Sequence, residues 1–157
     1  MDTQSEKVLA QLIRSTRIAT LATLRDETPQ VSMTAFIFAD DFSAFHIFVS
    51  RLAQHTVDMQ KDKRVSLLIC ETDDGRTDPQ TLARVSIRGT AEAMQNGAPG
   101  YTPLKEQYLA RFPEAAQLFS MADFNFWRIN PKGGRYVAGF AKAFNITAET
   151  LLEVSKR

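Results

Sequence analysis

The polar residues that could do chemistry in this sequence gather where an apolar run gives way to a predicted helix. Ser50 ends the apolar run, and Arg51, Gln54, His55 and Thr56 follow it closely. Free backbone N–H groups and the helix dipole converge at the first turn of a helix, and both favour an anion. Hydroxyl, imidazole and guanidinium groups at the same place would add hydrogen bonds to a phosphate. The spacing indicates an anion site, and an ordinary solvated surface would give the same pattern.

Groups capable of independent catalysis are few. The sequence has two histidines, His46 and His55, and a single cysteine, Cys70. Cys70 lies in an apolar run without a cationic neighbour, so we expect a small core residue and not a nucleophile. We expect His46 to be a structural histidine with satisfied hydrogen bonds. Phosphate-binding glycine loops, zinc-binding histidine pairs and nucleophile elbows are absent from the sequence. Catalytic residues are therefore unknown, no metal site is expected, and an organic cofactor would supply the chemistry.

Composition and charge exclude several classes of protein. The chain has 157 residues, with 19 Lys and Arg against 18 Asp and Glu, for a net charge of +1. This balance gives no electrostatic argument for nucleic acid or an anionic membrane as a partner. The N-terminus lacks the basic and apolar regions of a secretion signal, and one cysteine cannot form an internal disulfide framework. We expect a single cytoplasmic domain spanning residues 1–157.

The elements that must position the polar cluster are mostly short strands. Alternation and turn residues predict strands at 17–24, 30–38, 44–50, 64–71, 84–94, 123–129 and 135–141. The strand at 64–71 is apolar on both faces, which predicts a position buried between layers. Gly89 falls at a core-facing position of the next strand and predicts a bulge or a close backbone approach.

Helices are predicted at the edges of this strand pattern. Thr3 and Glu6 have the spacing of a capping box, Thr102 precedes a second apolar stripe, and Thr147 precedes a third. A short helix is expected at 52–60. Six or seven short strands with few helices between them predict a mainly β (α+β) fold, an antiparallel barrel or sandwich with peripheral helices. Regular strand–helix alternation is missing, which argues against a dinucleotide-binding parallel sheet.

Several stretches, taken in order, resemble one known superfamily. They are ATLAT at 19–23, PQVS at 29–32, SRLAQHT at 50–56, RVSLL at 64–68, DF at 123–124 and RYVAGFAKA at 135–143. Their order and spacing are similar to those of the flavin-binding split-barrel superfamily of pyridoxamine 5′-phosphate oxidase, and within it to the branch of haem-utilisation proteins. The resemblance covers residues 15–144.

The resemblance implies an antiparallel split β-barrel that forms a homodimer and holds FMN between the subunits. In the oxidases, an aromatic strand leads into a Ser-Arg-Lys turn that grips the phosphate, whereas the matching turn here is Ala53-Gln54-His55. The residues expected near the phosphate are Val49, Ser50, Arg51, Gln54, His55 and Thr56. Those expected nearer the flavin ring are Ser32, Thr34 and Arg84. Arg84 would stabilise negative charge on the reduced flavin, or would be an exposed strand cation.

Three functions fit these expectations. The first is an FMN-dependent oxidoreductase acting on an unknown small-molecule substrate. The second is a flavin or haem carrier without turnover, and the third is a structural homologue that has lost its ligand. Pyridoxal phosphate synthesis is less expected, because residues 135–143 do not reproduce the substrate-binding strand of the oxidases. Haem-utilisation relatives carry a further C-terminal haem-binding domain, whereas this sequence ends at Arg157 with no histidine after His55. Haem breakdown is accordingly not expected as the main activity.

Overall fold

A curled antiparallel sheet forms the scaffold, and the structure, a computed structural model, describes residues 1–157. Its strands are β1 (Ile18–Arg25), β2 (Thr28–Ala35), β3 (Ile37–Phe38), β4 (Phe45–Ser50), β5 (Arg64–Cys70), β6 (Arg84–Ala93), β7 (Phe124–Val137) and β8 (Ala143–Ile146). They are ordered β2-β1-β5-β6-β7-β4-β3, and β8 pairs with β7. All pairings are antiparallel, and the sheet curls into a half-barrel. The predicted mainly β class is confirmed.

Four α-helices accompany the sheet: α1 (Thr3–Ser15), α2 (Gln54–Lys61), α3 (Tyr101–Arg111) and α4 (Ala148–Val154). The predicted cap at Thr3 is wrong, because the Asp2 carboxylate accepts the Ser5 backbone N–H at 2.9 Å. Thr147 caps α4, as predicted. None of these helices combines the length and the hydropathy that crossing a bilayer requires.

The start of α3 also differs from the prediction. Gly100, with a φ of 87°, precedes the helix, and no side chain caps it. The predicted cap at Thr102 is therefore wrong, because the chain enters the helix from a left-handed glycine that other residues rarely tolerate.

β7 is one continuous strand where two strands, at 123–129 and 135–141, were predicted. It pairs with β6 across the gap between those two ranges, with Gly134 opposite Ile87 and Gly133 opposite Arg88. A Cβ on Gly134 would lie 1.9 Å from the backbone oxygen of Ser86, so the glycine lets the two strands approach closely. The register shifts between Arg88 and Gly89, which confirms the predicted bulge.

β5 has one buried face and one outward face. Val65, Leu67 and Ile69 are buried, whereas Leu68 and Cys70 are exposed. The prediction of a strand buried on both faces is wrong, and so is the expectation that Cys70 is a core residue. Because no layer covers the outer side of β5, its alternate side chains stay exposed.

Two hydrophobic clusters lie on opposite faces of β4. Phe45, Ile47 and Val49 belong to the main core, which α1 and α4 cover. Phe48 belongs to a smaller cluster of aromatic residues that α3 covers. His46 is buried on the same face of β4 as Phe48, and its Nδ1 has no hydrogen-bond partner. The expectation that the hydrogen-bonding atoms of His46 all have partners is therefore wrong for Nδ1.

Candidate functional site

A groove of about 440 Å³ opens between β2, the end of β4, the start of α2, and α3 with the turn that follows it. Four of the predicted site residues line it, namely Thr34, Val49, Ser50 and His55. A cavity of similar size beside α1 contains none of them. The groove is therefore the candidate site.

The hydroxyl groups at the strand-to-helix turn are already used within the protein. Thr56 Oγ1 donates to the backbone oxygen of Ser50 at 2.7 Å, and Thr56 is buried. Ser50 Oγ donates to Asp123 at 2.5 Å and accepts the backbone N–H of Leu52 at 3.0 Å. These bonds stabilise the turn and leave neither hydroxyl proton free for a phosphate.

Asp58, a residue that the sequence reasoning missed, anchors α2 to β1. Its buried carboxylate accepts hydrogen bonds from Thr23 at 3.0 Å, from Arg25 at 3.0 Å and from Gln54 at 3.1 Å. The Arg25 hydrogen bond is the largest cause that lowers the pKa of Asp58, so the carboxylate stays ionised. Gln54, predicted as a phosphate ligand, is exposed, and its amide nitrogen is already bonded within this network.

His55 lies on the first turn of α2 beside the groove and is half-buried. Its Nδ1 is 3.3 Å from Ser32 Oγ, which brings together two residues that the sequence predicted. Its Nε2 is buried and has no hydrogen-bond partner. Burial lowers the pKa of His55, against a smaller opposite effect of Asp58. The imidazole is therefore neutral at pH 7 and carries a nitrogen without a partner.

The remaining predicted polar groups either are bonded within the protein or lie apart from the groove. Thr34 is buried and donates to the backbone oxygen of Ala35 at 3.0 Å. Arg84 donates to the backbone oxygens of Gln80 and Leu82 at 3.2 and 3.0 Å, and it does not line the groove. Arg51 is exposed next to the turn and is the one predicted cation beside it. The predicted roles of Arg51 and Arg84 in cofactor binding stay predictions.

The walls of the groove are mostly hydrophobic, with four aromatic side chains among the fifteen lining residues, and they carry one ion pair. The lining residue Phe48 stacks on Phe119, which does not itself line the groove, with ring centroids 4.1 Å apart. Arg17 bonds to Glu114 at 2.6 Å, and its guanidinium lies 5.0 Å from the Phe112 ring centroid. A ligand with a broad apolar surface suits these walls, because ten of the fifteen residues that line the groove are hydrophobic. FMN binding stays a prediction.

Comparison with known proteins establishes the family. Residues 5–138 match the family model described as pyridoxamine 5′-phosphate oxidase. The chain belongs to this family of split-barrel proteins. This confirms the resemblance seen in the sequence.

Several relatives of this chain carry haem in their names. One is the non-canonical heme oxygenase HOZ, chloroplastic, of Arabidopsis thaliana, 35% identical over 116 residues, which cover 74% of this chain and 34% of that protein. Another is the heme oxygenase HutZ of Vibrio cholerae, 21% identical over 126 residues, covering 80% of this chain and 70% of HutZ. The chain thus spans about a third of the Arabidopsis protein.

Solved structures show the same fold. A heme binding protein from Mycobacterium smegmatis superposes with a TM-score of 0.85 at 23% identity, over 98% of this chain and 62% of that one. ChuZ of Campylobacter jejuni superposes with a TM-score of 0.82 at 18% identity, over 96% of this chain and 62% of that one. These likenesses support the half-barrel architecture.

Proposed function

We propose that this protein binds haem in the groove between β2, β4, α2 and α3, and that two copies of the chain complete the site. The observation that carries the proposal is the mostly hydrophobic groove with a neutral histidine at its edge. His55 offers a nitrogen without a partner, and Phe48 and Phe112 offer apolar walls. The haem-related names of the Arabidopsis and Vibrio relatives support the same ligand.

The residues of the groove fit a porphyrin in three respects. A porphyrin is flat and mostly apolar, so aromatic walls such as Phe48 and Phe124 gain from covering it. An imidazole is a common ligand of haem iron. Arg17 at the groove could receive a propionate in exchange for Glu114. When bound, haem iron would supply redox or oxygen chemistry, while the chain supplies position and dielectric.

A second copy of the chain fits the outer face of β1 and β2. Val31, Met33 and Ile18 are 74%, 66% and 54% exposed, and Leu68 on β5 continues the same apolar face. Met33 and Ile18 also line the groove, so a partner seated on this face would cover the groove opening. Exposed apolar patches of this kind mark interaction surfaces, and most soluble homo-oligomers are symmetric dimers.

Titration of the purified protein with haemin, and separately with FMN, tests the ligand. We expect a new Soret band with haemin that saturates at one site. Ala53→Trp would fill the groove and abolish this band, whereas the control Gln60→Trp, on an exposed position of α2, would keep it. Unchanged haemin binding by the Ala53→Trp variant would refute the groove as the site.

FMN oxidoreductase activity is the second candidate, and the family name favours it. Its signature would be a yellow protein that bleaches under anaerobic NADPH or NADH and recolours in air. A protein that takes up FMN and leaves haemin in solution would replace the haem proposal with this one.

Light scattering tests the dimer. Met33→Lys would place a charge on the apolar face, and we expect it to give a monomer with weakened haemin binding. The control Leu152→Lys, on an exposed position of α4, would leave the mass of the dimer unchanged. A wild-type monomer that binds haemin with full affinity would contradict the shared site.

A further inference from the structure

We infer that His55 is the side chain that ligates the haem iron, an assignment that rests on the haem site proposed above. The chain offers His55 at the groove with one ring nitrogen bonded and the other without a partner. No other ionisable side chain lining the groove combines these properties. The inference follows from elimination among the possible ligands and from the local geometry.

Proteins bind haem iron through histidine, methionine, cysteine or tyrosine, and three residues of these types line the groove. They are Met33, His55 and Tyr108. Tyr108 is buried among aromatic rings, and burial raises its pKa to about 12, so it does not supply a phenolate at neutral pH. Met33 is largely exposed on the apolar face proposed to meet the second copy. His55 is the remaining candidate.

The other histidine and the cysteine do not compete for this position. His46 lies within β4 opposite Ile37 and Arg128, and Cys70 lies at the end of β5 opposite Arg84. Neither lines the groove. The assignment thus leaves His55 as the one imidazole within the site.

The surroundings of His55 match those of a metal-binding histidine. Such residues usually donate the N–H of the second ring nitrogen to a nearby acceptor, which orients the ring. Ser32 Oγ, 3.3 Å from Nδ1, is placed to accept that proton, and the lone pair then lies on Nε2. Asp58, one turn further along α2, holds the helix to β1 and so keeps the backbone of His55 in place. Nε2 is covered in the single chain, so ligation requires a local shift that uncovers it.

The test compares haemin complexes of the wild type, His55→Ala, His55→Gln and Met33→Leu. The readouts are the absorption spectrum of ferric haem and the iron–histidine stretching band of the ferrous complex in resonance Raman. We expect both histidine variants to bind haemin with a displaced Soret band and without the stretching band. Added imidazole would restore the wild-type spectrum of His55→Ala, and Met33→Leu would keep it unaided.

A Ser32→Ala variant probes the orienting bond. We expect it to retain the stretching band at lower frequency and to bind haemin about 10-fold more weakly, because the acceptor for the Nδ1 proton is lost. Circular dichroism of each variant checks that the fold is intact, and His55→Gln keeps a polar side chain should alanine impair folding.

The outcomes separate the two proposals. A His55→Ala complex with the wild-type absorption and Raman spectra would overturn the ligand assignment and leave haem binding intact. A wild-type complex without an iron–histidine stretching band, whose absorption spectrum changes in Met33→Leu and stays the same in His55→Ala, would do the same. A wild-type protein that takes up no haemin would overturn both.

Discussion

His46 should make this protein less stable in mild acid. Burial, with a smaller contribution from Arg128, lowers the pKa of His46 from its ordinary value of 6.5 to about 4. The unfolded chain therefore takes up a proton near pH 6.5, whereas the folded chain does not until near pH 4. The stabilisation that depends on a neutral imidazole is fully present above pH 6.5. It is lost as the pH falls from 6.5 towards 4. Between pH 7 and pH 5 the loss amounts to about 2 kcal/mol.

Urea unfolding at pH 7 and pH 5 measures this loss. We expect His46→Gln to remove about 2 kcal/mol of the pH-dependent change while leaving the m-value unaltered. His55→Gln serves as the matched control, because burial lowers the pKa of His55 in the same direction. The loss of stability due to His46 should remain in this variant. If His46→Gln loses as much stability between pH 7 and pH 5 as the wild type does, the buried neutral imidazole is not the source of the wild-type loss.

Two further predictions concern the sheet. Tyr136 is fully buried and its hydroxyl has no partner, so Tyr136→Phe should raise the free energy of unfolding by about 1 kcal/mol; a lower melting temperature would contradict this. Gly134→Ala should lower the free energy of unfolding by about 3 kcal/mol, because the new methyl group would meet the Ser86 oxygen. Gly97→Ala, which has a φ of 78° and open space around it, should cost only about 1 kcal/mol, and equal losses at both positions would refute the close approach.

Local sequence patterns were sufficient for most of the sheet. In β6, Val85, Ile87 and Ala91 alternate with polar residues, and the structure buries these apolar residues. Gly89 interrupts that alternation, and its bulge follows from the missing side chain. Such features depend on residues close together in the sequence, so a pattern of period two reveals them.

Features that depend on distant partners could not be predicted. The glycines and Pro131 at the centre of β7 have the composition of a turn, but pairing with β6 across the sheet keeps the strand extended. In the candidate site, Ser50 has the sequence context of a phosphate ligand, yet its hydroxyl bonds to Asp123, 73 residues away. The role of Asp58 as an anchor depends on Thr23, which is 35 residues away in the sequence and lies beside Asp58 only in the folded chain. Tertiary contacts of this kind override local propensity.

The pairing of β7 has a consequence for biosynthesis. β4 has only β3 and β7 as sheet neighbours, and five of its six residues are buried in the finished fold. A ribosome releases β4 long before Phe124–Val137 has been translated. Until then, β4 lacks its main hydrogen-bonding neighbour, β7, and is prone to aggregation. Long-range β pairing brings this hazard to nascent chains. Production of the protein should therefore depend on chaperone capacity during the interval between these two strands.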